Sequence, residues 1–142
     1  LNEPQAILDN IRANYTPMIE AGATTVWETY PNSTCSPEGF PTRSHCHGWS
    51  CGPLQFFNQI ILGIRQTAAG GKAFEISPWL GDLKFASGAM ATPEGPVSVD
   101  WKIVEGRLEV AIAAPDGVAI EWCPNASHAG LEVVRFAGAE LV

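Results

Sequence analysis

The sequence predicts an α+β chain, with a helical first half followed by a small antiparallel β-sandwich. Three observations predict it. Apolar residues recur at helical spacing before Gly70-Gly71 and at every second position after it. The stretch 23–52, rich in Pro, Gly, Ser, Thr and Cys, interrupts the helical half. Glu105-Gly106 and Asp116-Gly117 punctuate the second half as turns. The change of period divides the chain into two domains, 1–70 and 71–142.

The first helix is expected over residues 4–21. Ile7, Leu8, Ile11, Tyr15, Met18 and Ile19 fall on one stripe. Asn2 or Glu3 with Pro4 opens it, because proline is tolerated in the first turn, and Gly22 closes it. Pro17 lies inside the pattern, so a kink or a restart is expected there. A second helix is expected over 53–64, with Pro53, Leu54, Phe57, Ile60, Ile61 and Ile64 as its stripe and Ser50 as N-cap. Two helices cannot bury both stripes alone, so the helical part is expected to pack on something further.

Val97, Val99, Trp101 and Ile103 alternate with polar residues, as do Leu108, Val110 and Ile112, and then Val118, Ile120 and Trp122. This reads as an antiparallel meander with one buried face. Runs at 73–77, 83–90 and 131–136 complete the expected sandwich. Trp101 and Trp122 fit the inward positions, and Trp79 falls in the same half.

The 142 residues are 46% hydrophobic and 16% charged, which describes a folded chain. A net charge of −7, with eight scattered Lys and Arg, argues against a nucleic-acid partner, since phosphate binding needs clustered cations. No apolar run approaches the ~18 residues of a membrane span. The sequence opens at Leu1 without an initiator Met or a signal peptide, so a processed chain or a piece of a longer one is expected. Four cysteines, Cys35, Cys46, Cys51 and Cys123, permit two disulfides or free thiols. They lack the Cys-x-x-Cys pair of a zinc site, and no cofactor or metal is expected. Asn32 and Asn125 head Asn-x-Ser/Thr sequons, candidate glycosylation sites in a secreted protein.

The chemistry-bearing residues collect in the long loop. Thr24-Thr25-Val26-Trp27-Glu28 sets an acid beside a large aromatic. A carboxylate against Trp in a concave site is one way to tune an acid or base, and Trp offers an apolar face to a sugar ring. His45-Cys46-His47-Gly48-Trp49-Ser50 is the densest polar–aromatic cluster, and Arg43 is a partner for Glu38 or Glu28.

These stretches resemble a known family. Gly22-Ala23-Thr24-Thr25-Val26-Trp27-Glu28 is similar to the segment that carries the general-base Glu of inverting α-L-rhamnosidases, glycoside hydrolase family 78. Ser44-His45-Cys46-His47-Gly48-Trp49-Ser50-Cys51-Gly52-Pro53 resembles the family's following motif, and Leu62-Gly63-Ile64 the end of its next helix. Phe74-Glu75-Ile76-Ser77-Pro78, Leu80-Gly81-Asp82-Leu83-Lys84 and Thr92-Pro93-Glu94-Gly95-Pro96 look like the start of its C-terminal β domain. The match runs in order from about residue 5 to 124. His128 and the tail match nothing in it.

The resemblance implies an α+β fragment: the last helices of an (α/α)6 barrel, 1–70, and a β-sandwich domain, 71–142. It implies Glu28 as general base, with His47 contacting sugar and Trp27 and Trp49 lining or supporting the pocket; His45 is the alternative to His47. The family's general acid lies upstream of this segment. The chain is therefore expected to supply the base alone, to need the remainder of the barrel as partner and a rhamnose-containing glycoside as substrate, and to be inactive in isolation. Alternatives are a related (α/α)6 hydrolase for another sugar, or a non-catalytic carbohydrate-binding or structural module.

Overall fold

The computed structural model of the chain describes residues 3–29 and 44–137. The chain forms two compact units, Leu1–Gln55 and Phe56–Val142.

In the first unit, helix α1 spans Pro4–Glu20 with Pro4 at its start. It runs through Pro17 without the expected restart. Pro17 lies in the last turn, where its missing N–H removes a single helical bond, and Ala13, one turn back, is exposed. Leu8 and Met18 are buried, whereas Ile19, expected on the stripe, is 71% exposed. A 3-10 turn, Gly48–Cys51, leads into the short helix α2, Gly52–Phe56. His47 stands at the N-cap position of that 3-10 turn, in place of the expected Ser50 cap.

The helix expected over 53–64 ends early. After α2 a π-turn, Phe57–Ile61, closes with Leu62 N–H donating to Phe57 O at 2.8 Å. Gly63 then takes φ +69, and Ile64 begins a strand. The cause is a close approach. A Cβ on residue 63 would stand 2.1 Å from the Ser77 carbonyl carbon, so the position admits only glycine. Leu54 and Phe57, assigned to the stripe, are 63% and 37% exposed.

Among the described residues the second unit holds seven strands in two sheets. They are β1 Ile64–Ala68, β2 Ala73–Ile76, β3 Phe85–Thr92, β4 Gly95–Val104, β5 Arg107–Ala113, β6 Ala119–Trp122 and β7 Glu132–Ala137. One sheet has the order β1-β2-β6, the other β3-β4-β5-β7. Glu105-Gly106 makes the expected hairpin: both residues have positive φ, 50° and 78°, and Val104 faces Arg107 across it. The antiparallel meander stops at β5. The Asp116-Gly117 turn does not pair its flanking strands; it sends the chain to the other sheet, where β6 lies parallel to β2, and β7 returns to lie parallel to β5. Period-2 patterning fixes which face is buried, but not which neighbour a strand chooses.

Val97, Val99, Trp101, Leu108 and Val110 from the larger sheet, and Ile64, Phe74 and Ile76 from the smaller, are almost completely buried. Trp101, expected inside, is 1% exposed and donates its indole N–H to Ile61 O at 2.9 Å. Trp122 is only half-buried. At the periphery Lys72 pairs with Glu94, which holds the Glu94 carboxyl below its usual range.

Gly63→Ala is expected to cost roughly 3 kcal/mol or more, combining left-handed backbone strain with overpacking. Gly106→Ala, where nothing lies within 4 Å, should cost about 1–2 kcal/mol. Denaturant unfolding of the two variants checks the order.

Candidate active site

The expected site residues fall in the first unit on two segments. One follows α1: Ala23 N–H bonds back to Met18 O at 2.9 Å, turning the chain into Thr24–Glu28. The other is Ser44–Ser50. Two backbone bonds join them, Glu28 N–H to Ser44 O and His47 N–H to Val26 O, each 3.0 Å. The acid and the histidine, nineteen positions apart in sequence, are thus brought onto adjoining backbone.

Side chains reinforce the junction. Thr25 Oγ1 lies 3.2 Å from His45 O and 3.3 Å from Val26 O. Ser44 Oγ donates to Cys46 O at 3.0 Å and accepts from Cys46 N–H at 3.2 Å, holding its segment in a tight turn. Tyr15 reaches from α1 and donates to Ser50 O at 2.8 Å, anchoring the 3-10 turn that carries Trp49. Sequence reasoning placed Tyr15 on the apolar stripe and gave Thr25 and Ser44 no role. The hint was local: hydroxyl residues flank both aromatic motifs.

The two tryptophans of the site differ. Trp27 is 5% exposed and forms part of the first unit's core, with the His45 ring edge-on to it at 4.9 Å. Trp49 is 93% exposed and meets the His47 ring edge-on at 5.6 Å. Glu28 and His47 are half-buried, and His45 is exposed. The arrangement offers a carboxylate, an imidazole and an open indole face, a combination suited to binding a polyol and activating water.

Several expected residues lie elsewhere. Asn32, Cys35, Glu38 and Arg43 fall outside the described residues. Cys46, Cys51 and Cys123 are free thiols. Burial, with the nearby Glu75 and Glu121, pushes the Cys123 thiol up, which disfavours its nucleophilic form. Asn125 sits in the second unit, where its side-chain amide donates to Ser77 Oγ at 3.0 Å and Pro78 O at 2.9 Å. Both amide hydrogens of Asn125 are thus engaged within the unit. Among the described residues no group of three or more His, Cys, Asp or Glu could hold a metal ion, and no helix is long and apolar enough to cross a membrane.

Comparison with known proteins identifies the family. The bacterial alpha-L-rhamnosidase C-terminal domain matches residues 63–134, most of the two-sheet unit. The chain belongs to the α-L-rhamnosidase family. An alpha-L-rhamnosidase of Alteromonas sp. (strain LOR) is 32% identical over 114 residues, covering 78% of this chain and 12% of that protein. The crystal structure of a GH78 family rhamnosidase from Bacillus sp. GL1 superimposes with a TM-score of 0.80 at 34% identity, covering 95% of this chain and 14% of that one. The Streptomyces avermitilis alpha-L-rhamnosidase, solved in complex with L-rhamnose, gives 0.59 at 27% identity over 73% of this chain and 10% of that one. The chain therefore spans about an eighth of the rhamnosidases it matches. The Bacillus match covers nearly all of the chain, so the likeness extends beyond the two-sheet unit to the segments carrying Glu28 and His47.

Tyr15→Phe is expected to lower the opening free energy of the Trp49–Cys51 amides by about 1 kcal/mol, the net worth of one hydrogen bond. Hydrogen exchange on the chain reads this directly.

Proposed function

We propose that the chain is the C-terminal part of an inverting glycoside hydrolase that removes terminal α-L-rhamnose from glycosides, with Glu28 as its general base. The observation that carries this reading is the junction of the Glu28 and His47 segments in a chain of the α-L-rhamnosidase family. Rhamnose as the sugar is supported by the Streptomyces avermitilis relative, whose structure holds L-rhamnose.

In this mechanism the Glu28 carboxylate takes a proton from a water molecule as its oxygen attacks the anomeric carbon. The bond from that carbon to the glycosidic oxygen breaks on the opposite face, and a general acid protonates the departing oxygen. The two carboxyl groups of an inverting pair stand ~6.5–9.5 Å apart, leaving room for the water. The acid belongs to the larger part of the protein that the rhamnosidase relatives possess beyond this segment. His47 hydrogen-bonds a sugar hydroxyl, and the open face of Trp49 covers the apolar side of the ring. Trp27, buried with the His45 ring edge-on to it, supports the pocket from the unit's core.

The test uses the full-length protein and an aryl α-L-rhamnoside. Glu28→Gln is expected to lower kcat by ~10²–10⁴-fold, the usual contribution of a general base, with folding retained. A variant keeping more than about a tenth of normal turnover would remove Glu28 from the role. The 142-residue chain alone is expected to show no turnover.

A further inference from the structure

A second polar cluster lies in the two-sheet unit and uses none of the residues named in the chemistry proposed above. Asn125 caps the 3-10 turn Ala126–His128. Its Oδ1 accepts from Ser127 N–H at 2.9 Å and from Ser127 Oγ at 2.7 Å, and its own N–H donates to His128 Nδ1 at 3.2 Å. The same three side chains grip the linker between β2 and β3. Asn125 Nδ2 holds Ser77 Oγ and Pro78 O, Leu80 N–H donates to Ser127 Oγ at 3.2 Å, and His128 Nε2 donates to Pro78 O at 2.7 Å. The linker is also tied from its other side, by Ser77 N–H to Gly63 O at 3.0 Å and Trp79 N–H to Ile60 O at 2.8 Å.

These bonds demand one protonation state. Nδ1 must accept and Nε2 must donate, which is the neutral imidazole with its hydrogen on Nε2. A proton on Nδ1 would set two donors against each other. His128 is 5% exposed, so burial disfavours a charge on its ring. From β6, Trp122 stacks on the ring with centroids 5.3 Å apart and planes at 15°. From β7, the Arg135 guanidinium, 5.8 Å from the Trp122 centroid, adds a second cation to the stack. Arg65, Glu75 and Glu121 gather on Cys123, next to Trp122 in sequence, and among the described residues no carboxylate pairs with the imidazole.

We infer that the Asn125–His128 turn is a proton-sensitive clasp on the Ser77–Leu80 linker, closed while His128 is neutral and released when Nδ1 takes a proton. Burial pushes the His128 imidazole below its ordinary value, although the bond to Pro78 opposes this. The unfolded chain therefore takes up the proton first, at about pH 6.5. The clasp contributes its full stability above that pH and loses it as pH falls through the lowered folded value. Release leaves the linker held from the Ile60–Gly63 side alone.

The test is an NMR pH titration of the imidazoles, with amide protection factors for Ser127 and Leu80, on the complete chain and on His128→Gln. Gln can give and accept the same two bonds but does not titrate. The expected result is a His128 imidazole still neutral below pH 6.5, with both protection factors falling at least tenfold across its titration. The His128→Gln chain should lack that step. A His128 that titrates at or above its ordinary value, protection factors unchanged across its titration, or a step that survives in His128→Gln would each overturn the clasp. If His128→Gln does not fold, the titration of the unaltered chain decides alone.

Discussion

One close approach sets the course of the chain. The backbone at Gly63 lies against Ser77 and Pro78 so tightly that no side chain fits, and its positive φ converts the end of a helical segment into a strand. That turn aligns Ile64 with Ile76, both fully buried, and so registers β1 on β2. The same contact fixes the 77–80 linker, from which the chain passes into the larger sheet. Trp101 completes the arrangement from that sheet by donating its indole N–H to the Ile61 carbonyl, a buried bond at 2.9 Å.

A different kind of constraint governs the first unit. Apart from the 3-10 turn that carries Trp49, its two functional segments belong to no regular element, so their geometry rests on individual hydrogen bonds. Two backbone bonds, the Thr25 hydroxyl and the Tyr15 hydroxyl place Glu28 beside the His47 segment and leave Trp49 projecting. A site built this way responds to loss of a single hydroxyl far more than one built on a sheet. Ile19, Trp49 and Leu54 stand exposed in a chain that spans about an eighth of the rhamnosidases it matches.

Much of this was legible in the sequence. Alternation found six of the seven strands, and Glu105-Gly106 marked its hairpin because both positions require positive φ. The strand at Ile64 was not legible. Ile60, Ile61 and Ile64 continue a helical stripe, and the reason for the break lies in residues 77 and 78, which local pattern does not see. The parallel pairings of β6 and β7 were hidden for the same reason. At the site, the motifs named Glu28, His47, Trp27 and Trp49, but their local pattern could not separate the buried indole from the open one. Asn125 carries a role that local pattern does not show. The Asn-x-Ser pattern gave no sign that Asn125 also caps a 3-10 turn and holds the linker through its amide.

The central claim is that Glu28 acts on water and not on the sugar carbon itself. The measurement that addresses it most directly is the configuration of the first product. Hydrolysis of an aryl α-L-rhamnoside by the full-length protein should be followed by ¹H NMR faster than mutarotation. The account predicts β-L-rhamnose as the initial product, with the α anomer appearing later by equilibration. Initial release of α-L-rhamnose would mean a covalent intermediate on a carboxylate, and would contradict a general-base role for Glu28.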